Sequence, residues 1–323
     1  MAEIGRDIKA AAKLLLAGKL VAIPTETVYG LAANALDEEA VLSVFEAKQR
    51  PFFDPLIIHV PSLLEAKKYA TFHDERLLGL AKQFWPGPLT LLLPKKDVIP
   101  ALVTSGLQQV AVRVPDHHLT LELLKTINVP LAAPSANPFG YVSPTEALHV
   151  EKQLGKKIDY ILDGGPSQVG LESTIIGIED NMVCVYRLGG LSLEDIEKKT
   201  GPLELRLNNS SNPKAPGQLK NHYAPKKPLY LGDLQELLKQ HSGKTMSLIS
   251  FGSKKQSGHH HIHYSLSTKK DLREAALHLF RILRLADEDG SEIVLCERLP
   301  DEGLGRAIND RLKRAATSDA NPH

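Results

Sequence analysis

Cysteine is almost missing from this chain of 323 residues: Cys184 and Cys296 are the only two. Two thiols cannot make a disulfide framework, so the fold must stand on its core, which fits a reducing compartment. No run of about 18 apolar residues occurs, and no signal-like apolar stretch follows the N-terminus. This predicts a cytoplasmic protein with no membrane partner. Neither sign of charge dominates, with 39 Lys and Arg against 38 Asp and Glu for a net charge of +1. Without a basic block to grip phosphate backbones, no stable nucleic-acid partner is expected. Several motifs are also absent: G-x-S-x-G, H-E-x-x-H and G-x-x-x-x-G-K-[ST]. No G-x-G-x-x-G follows a strand, and Gly303-Leu304-Gly305 lies in the wrong context for a dinucleotide site. What remains is ordinary for a soluble globular protein, 42% hydrophobic and 24% charged residues. The length predicts two domains, because single cores stop growing near roughly 250–300 residues.

The stretch that organises the chain is Pro24-Thr25-Glu26-Thr27-Val28-Tyr29-Gly30-Leu31. It follows the apolar run Leu20–Ile23, a short buried strand that Pro24 ends because proline has no N–H for the ladder. Polar groups crowded at the exit of a buried strand are where open α/β proteins place a ligand. An ordinary strand-to-loop turn, with Thr25 or Thr27 capping local backbone, has the same pattern.

Strands and helices alternate from there. Helical spacing runs from Asp7 to Ala17, and Asp37 caps a second helix ending at Lys48-Gln49-Arg50-Pro51. Strands are expected at Leu56–Val60, Leu89–Leu93, Val110–Val114, Pro130–Ala133, Tyr160–Leu162, Ser173–Ile178 and Met182–Arg187. Ser143-Pro144-Thr145-Glu146 reads as a helix start with cap, N1 proline and N3 glutamate. A helix from Ser192 closes the first domain near Thr200. The composition then shifts, and Asn208-Asn209-Ser210-Ser211-Asn212-Pro213 is a linker signal. After Pro228 the alternation of strand and helix resumes and implies a small parallel sheet.

Lys48 and Arg50 at a helix end are either cations favoured by the dipole or a phosphate clamp. Arg113, amid the apolar strand Val110–Val114, needs an exposed face or a carboxylate partner, from the protein or from a substrate. Ser135-Ala136-Asn137, between Pro134 and Pro138, can offer hydroxyl, amide and backbone N–H groups to an anion. His259, His260, His261 and His263 lack the Cys or carboxylate company of a metal site and read as a solvated loop.

Together these pieces resemble the YrdC-like threonylcarbamoyl-AMP synthases. The resemblance rests on Pro24–Leu31, Lys48-x-Arg50-Pro51-x-x-x-Pro55-Leu56, Val110–Pro115, Ser135-x-Asn137, Ser173-Thr174-Ile175 and Arg187-x-Gly189, in that order. Ala215-Pro216-Gly217 and His222-Tyr223-Ala224-Pro225 resemble the long, two-domain form. The implied fold is α/β: a YrdC-like twisted mixed sheet with helices over 1–200, a linker or lid over 201–228, and a smaller Rossmann-like parallel α/β domain over 229–323. The implied activity is a nucleotidyltransferase that condenses L-threonine, bicarbonate and ATP, with Mg²⁺ held by phosphates and water. A separate transferase would then modify tRNA. The resemblance implies ATP contacts at Lys48, Arg50, Asp54, Gln109, Ser135, Asn137, Ser143, Arg187 and Tyr223. It implies L-threonine contacts at Thr27, His59, Arg113, Ala133 and Ser173. Asp54 stands where the family often has Asn, and Gln109 where it commonly has a small hydroxyl residue. The linker is expected to fold over the pocket as a lid, with Tyr223 at the phosphates.

Overall fold

Carboxylates and one hydroxyl start the helices of the N-terminal region. Asp7, Asp37, Ser62 and Asp74 each accept first-turn backbone N–H groups that the helix itself cannot satisfy. The computed structural model describes residues 1–207, 213–218, 223–253 and 261–316. The chain divides into two units, the first made of residues 1–139, 143–168 and 172–220, the second of 140–142, 169–171 and 221–323.

In chain order the first unit holds β1 (Glu3–Gly5), α1 (Ile8–Leu16), β2 (Val21–Ile23), β3 (Gly30–Asn34), α2 (Glu38–Lys48), β4 (Ile57–His59), α3 (Leu63–Tyr69), α4 (Glu75–Phe84) and β5 (Leu89–Pro94). It continues with β6 (Gln109–Arg113), α5 (His118–Ile127), β7 (Leu131–Ala132), α6 (Ala147–Leu154), β8 (Tyr160–Leu162), β9 (Thr174–Glu179), β10 (Met182–Arg187), α7 (Leu193–Thr200) and β11 (Leu203–Leu205). Among the described residues eleven strands make one mixed sheet, ordered β1-β8-β2-β3-β7-β4-β6-β5-β9-β10-β11. The apolar stripe of α1, Ala11, Ala12 and Leu15, packs with Leu123, Leu124 and Ile127 of α5 over Val21, Ile23 and Tyr160.

Sequence pattern and structure part at identifiable places. The strands β1, β3 and β11 carry too few bulky residues to be marked by periodicity, and pairing with neighbours makes them strands. Ser143 does not start a helix. The next helix, α6, begins at Ala147, and the Pro144 carbonyl instead accepts the Tyr29 N–H at 2.8 Å. That bond holds Ser143–Thr145 outside the helix, and the Ser143 hydroxyl donates to Glu172 Oε1 at 2.6 Å. The first unit runs past Thr200, because β11 adds to β10.

The second unit holds β12 (Leu229–Gly232), α8 (Leu234–Gln240), β13 (Met246–Ser250), β14 (Ile262–Ser265), α9 (Leu272–Glu288), β15 (Ile293–Glu297) and α10 (Leu304–Ala315). Among its described residues four strands run parallel throughout, ordered β12-β15-β13-β14. His263, expected in a solvated loop, lies within β14 opposite Leu248. The ladder to β13 recruits a segment whose composition alone does not look like a strand. His259 and His260 lie outside the described residues.

Candidate functional site

The hydrogen-bond register of the first sheet assembles one row of side chains. His59 pairs with Arg113, Arg113 with Thr90, Thr90 with Ile175, and Ile175 with Arg187. Register partners project from the same face, so five adjacent strands contribute one line of groups there. His59 and Arg113 end the parallel strands β4 and β6. The carboxyl ends of parallel strands are where open α/β sheets bind ligands. Along the same face the next row is apolar: Ile57, Ala111 and Leu92 cluster with Cys184 and Tyr186, and Ile175 of the first row packs against them.

Arg113 is anchored on three sides. Its Nε donates to the Gly87 carbonyl at 3.2 Å, and NH1 donates to Thr27 Oγ1 at 2.8 Å. NH2 lies 2.6 Å from Glu26 Oε1, with both side chains buried. The partner that the arginine requires is therefore a carboxylate of the Pro24–Leu31 stretch. Thr25 Oγ1 shares a hydrogen bond of 2.8 Å with Thr27 Oγ1 and donates to the Val28 carbonyl at 2.6 Å, so this stretch is held by its own hydroxyls. Ser173 Oγ meets Thr90 Oγ1 at 2.6 Å and accepts from Arg187 NH2 at 3.0 Å. Arg187 Nε also donates to the Ser173 carbonyl. Gly189 is required beside this pair: a Cβ there would stand 2.3 Å from the Glu172 carbonyl oxygen.

His59 is 3% exposed, and its Nδ1 meets no hydrogen-bond partner among the described residues. Burial, then the nearby Arg113 charge, push its pKa down to about 3. The ring is neutral at physiological pH. Ala133, also buried, donates its N–H to the Ile57 carbonyl at 3.0 Å, which ties the Ser135 loop to β4.

A second group sits where the chain enters β4. Lys48, 1% exposed, donates from Nζ to the backbone carbonyls of Ser135 and Asn137. Burial, then Arg50, hold its pKa well below the ordinary lysine range. Arg50 donates to the carbonyls of Asp54 at 3.0 Å and Pro55 at 2.9 Å, and pairs with the Asp54 carboxylate at 2.9 Å. Burial raises the Asp54 pKa, while Arg50, Lys48 and Arg187 pull it back down. Gln109 starts β6, at the opposite end of that strand from Arg113 and roughly 13 Å along it. The structure thus brings the expected residues together as two sets. Thr27, His59, Arg113 and Ser173 lie at the carboxyl end of β4. Lys48, Arg50, Asp54, Ser135 and Asn137 lie at its start.

Part of the linker belongs to this face. Ala215 is fully buried in the cluster of Ile57, Leu92 and Ala111, and Pro216 accepts from Arg187 NH1 at 3.3 Å. Tyr223 lies in the second unit, 1% exposed, stacked on Phe280 at 5.6 Å with Arg311 over its ring at 4.8 Å. His222 lies outside the described residues. Three participants escaped sequence reasoning: Glu26 as the partner of Arg113, Glu172 as that of Ser143, and Thr90. Thr90 carried a faint signal, a lone hydroxyl inside the apolar strand Leu89–Leu93.

Known proteins are similar to this chain. A family model described as "Telomere recombination", named for Sua5, YciO and YrdC, matches residues 13–189. A second, described as "Threonylcarbamoyl-AMP synthase, C-terminal domain", matches residues 191–317. The chain is 42% identical to the threonylcarbamoyl-AMP synthase of Pyrococcus abyssi, over 96% of this chain and 94% of that protein. It is 38% identical to that of Bacillus subtilis, over 96% and 93%. The crystal structure of P. abyssi Sua5 complexed with L-threonine matches with a TM-score of 0.91 at 40% identity, covering 98% of this chain and 97% of that one. E. coli YciO, 22% identical with a TM-score of 0.52 over 58% of this chain, shares the fold.

Proposed function

This chain belongs to the Sua5–YciO–YrdC family, in the form that carries the threonylcarbamoyl-AMP synthase C-terminal domain, and from that premise we propose that it condenses L-threonine, bicarbonate and ATP to threonylcarbamoyl-AMP and pyrophosphate. The observation that carries the reading is the pair of charged sets at the two ends of β4. They suit an extended product with an amino acid at one end and an adenylate at the other.

On this reading Arg113 takes the threonine carboxylate, and Glu26 balances its charge when the site is empty. Thr27 or Ser173 receives the threonine hydroxyl. Neutral His59 and Ala133 complete that end, where a charged imidazole would repel the ammonium form of the substrate. Lys48, Arg50 and Arg187, with Ser135, Asn137 and Ser143, hold the triphosphate. Asp54 and Gln109 are assigned to the same nucleotide contact.

The threonine nitrogen adds to the carbon of bicarbonate, with loss of water, to give a carbamate. A carbamate oxygen then attacks the α-phosphorus. The new O–P bond forms as the bond to the β-phosphate oxygen breaks, and pyrophosphate leaves with the electron pair. No side-chain nucleophile is needed, so positioning and neutralisation of phosphate charge dominate the catalysis. Mg²⁺ would arrive with ATP, bound mainly by phosphate oxygens and water, and would supply part of that neutralisation. The activated carbamate would pass to a separate tRNA-modifying transferase, and the whole sequence would run in the cytoplasm. Among the described residues no helix is long and apolar enough to cross a membrane.

The test is pyrophosphate release by the purified full chain. Release that requires threonine and bicarbonate together supports the reading. Release that is indifferent to either one overturns it.

A further inference from the structure

The second unit carries a cavity that the reading above does not use. It measures about 280 Å³ and opens at the carboxyl edge of the four-stranded parallel sheet. Three strand ends meet there. Leu234 opens α8 just after β12, Phe251 and Gly252 follow β13, and Glu297 ends β15. The strand order places β15 between β12 and β13, so the chain leaves the sheet centre and returns to it. In open α/β sheets such a reversal leaves a crevice for a ligand. The size falls just below the usual range for small-molecule pockets, roughly 300–1,000 Å³, which restricts the occupant to a compact molecule.

The lining defines its chemistry. Leu234, Leu238, Leu248 and Phe251 make an apolar wall. Two opposite charges meet one turn beside it. Glu297 Oε2 accepts the Phe251 N–H at 3.0 Å, and no described residue donates to its other oxygen. From the other side the Lys270 stem crosses Gly252, where an added Cβ would come within 3.1 Å of the Lys270 Cε. Gly252 has φ +131, a conformation that suits glycine, and this lets the stem lie close. Lys270 and Glu297 do not pair with each other, nor with any other described residue. An ammonium and a carboxylate, neither with a counter-ion among the described residues, flank one apolar wall.

We propose that this cavity binds a small zwitterion with an apolar body, of the class of α-amino acids with aliphatic side chains. Glu297 receives the ligand ammonium, Lys270 its carboxylate, and Leu234, Leu238 and Leu248 its side chain. A nucleotide fits less well, because among the described lining residues one lysine beside one carboxylate leaves no net positive charge for a phosphate. His263 and Ser250 on the same rim can serve as further polar contacts.

The experiment uses the full chain, with L-leucine as probe and AMP in a parallel arm. Lysines are acetylated briefly, and each site is quantified by mass spectrometry. Leucine at about 10 mM should slow acetylation of Lys270 by roughly fivefold or more, while Lys198 of the first unit, 75% exposed, reacts unchanged. Glu297→Gln should abolish at least roughly tenfold of the leucine affinity, the value of a hydrogen bond to a charged group. Gly252→Ala should reduce protection by displacing the lysine stem. Equal reactivity of Lys270 with and without leucine overturns the proposal, as does undiminished protection in Glu297→Gln. Protection by AMP but not by leucine assigns the cavity to a nucleotide and overturns the ligand class. None of these readouts depends on adenylate formation, so they stand apart from the function assigned to the first unit.

Discussion

Arg50 and Asp54 form an ion pair of 2.9 Å, with the arginine side chain 4% exposed and the aspartate fully buried. The pair is local, four residues apart, and the guanidinium also donates to the backbone carbonyls of Asp54 and Pro55. Arg50 would therefore keep two acceptors if the carboxylate were lost. Asp54→Asn should change stability by no more than about 1–2 kcal/mol, less than the ~3–5 kcal/mol usual for breaking a buried pair. Removing an anion from a phosphate site should tighten ATP binding by roughly fivefold in calorimetry. Weaker binding would mean that the carboxylate orients Arg50 for the nucleotide. The sign with pH is fixed by the raised pKa of Asp54. Its protonated form is favoured in the folded protein, so the wild type loses stability relative to Asp54→Asn as pH rises above the ordinary 3.8 toward the folded value.

His59 gives a pH signature of opposite sense. Its folded pKa, about 3, lies below the ordinary 6.5. Both states are neutral above pH 6.5, so the stability due to the neutral ring is complete there. It is lost as pH falls through the window between those two values, because the unfolded chain takes up a proton that the folded chain refuses. Denaturant unfolding of wild type and His59→Asn between these limits should diverge by up to about 1.4 kcal/mol per pH unit. Parallel curves would show that the imidazole protonates in the folded state.

Arg113 and Glu26 invite a double-mutant cycle. Arg113→Ala leaves the Glu26 carboxylate buried without a counter-charge, at a cost of roughly 3–5 kcal/mol in stability. Glu26→Gln added to Arg113→Ala should restore much of that loss, because both charges are then gone. Threonine affinity should not return: it should fall roughly 30-fold or more in every variant without the guanidinium. Calorimetry with threonine, run beside thermal melts, separates the two effects. Threonine binding that recovers along with stability would take Arg113 out of the substrate site.

Much of this architecture is legible before any coordinates, and the exceptions have physical causes. Bulky apolar runs such as Val110–Val114 and Met182–Arg187 announce strands, because burial on both faces selects those residues. The helix starts at Asp7, Asp37 and Asp74 announce themselves through one side-chain group. Strand β3, Gly-Leu-Ala-Ala-Asn, exists because β2 and β7 flank it, and no local preference reports that. Ser143 shows the converse failure. Its local signals for a helix start are complete, yet a distant N–H from Tyr29 captures the Pro144 carbonyl and the helix begins later. In the site, Lys48, Arg50, Arg113 and Arg187 stand out as charges in apolar settings. Their partners Glu26, Asp54 and Ser173 come from separate segments or the next loop, and only the sheet register shows which cation meets which group.

The docked half of the linker makes the last prediction. Gln218 is 2% exposed and makes four hydrogen bonds to backbone groups, two within Lys214–Gln218 and two that tie this segment to Tyr186 and Arg206. Its Oε1 accepts the N–H groups of Lys214 and Ala215, at 2.9 and 3.2 Å. Its Nε2 donates to the carbonyls of Tyr186 and Arg206, at 3.2 and 3.0 Å. One side chain thus closes the turn around Pro216 and fixes it to β10 beside Arg187. Each bond is worth about 0.5–1.5 kcal/mol net, so losing the four in Gln218→Ala should loosen this segment by roughly 2–6 kcal/mol of local stability. Hydrogen exchange should show faster exchange at Lys214 and Ala215, with β2 and β6 unchanged. Arg187 loses the support of the Pro216 carbonyl in the same step, so ATP affinity should fall severalfold while threonine affinity holds. Exchange as slow as in the wild type would mean that burial of Ala215 alone docks the segment, and that the glutamine has no hold on Arg187.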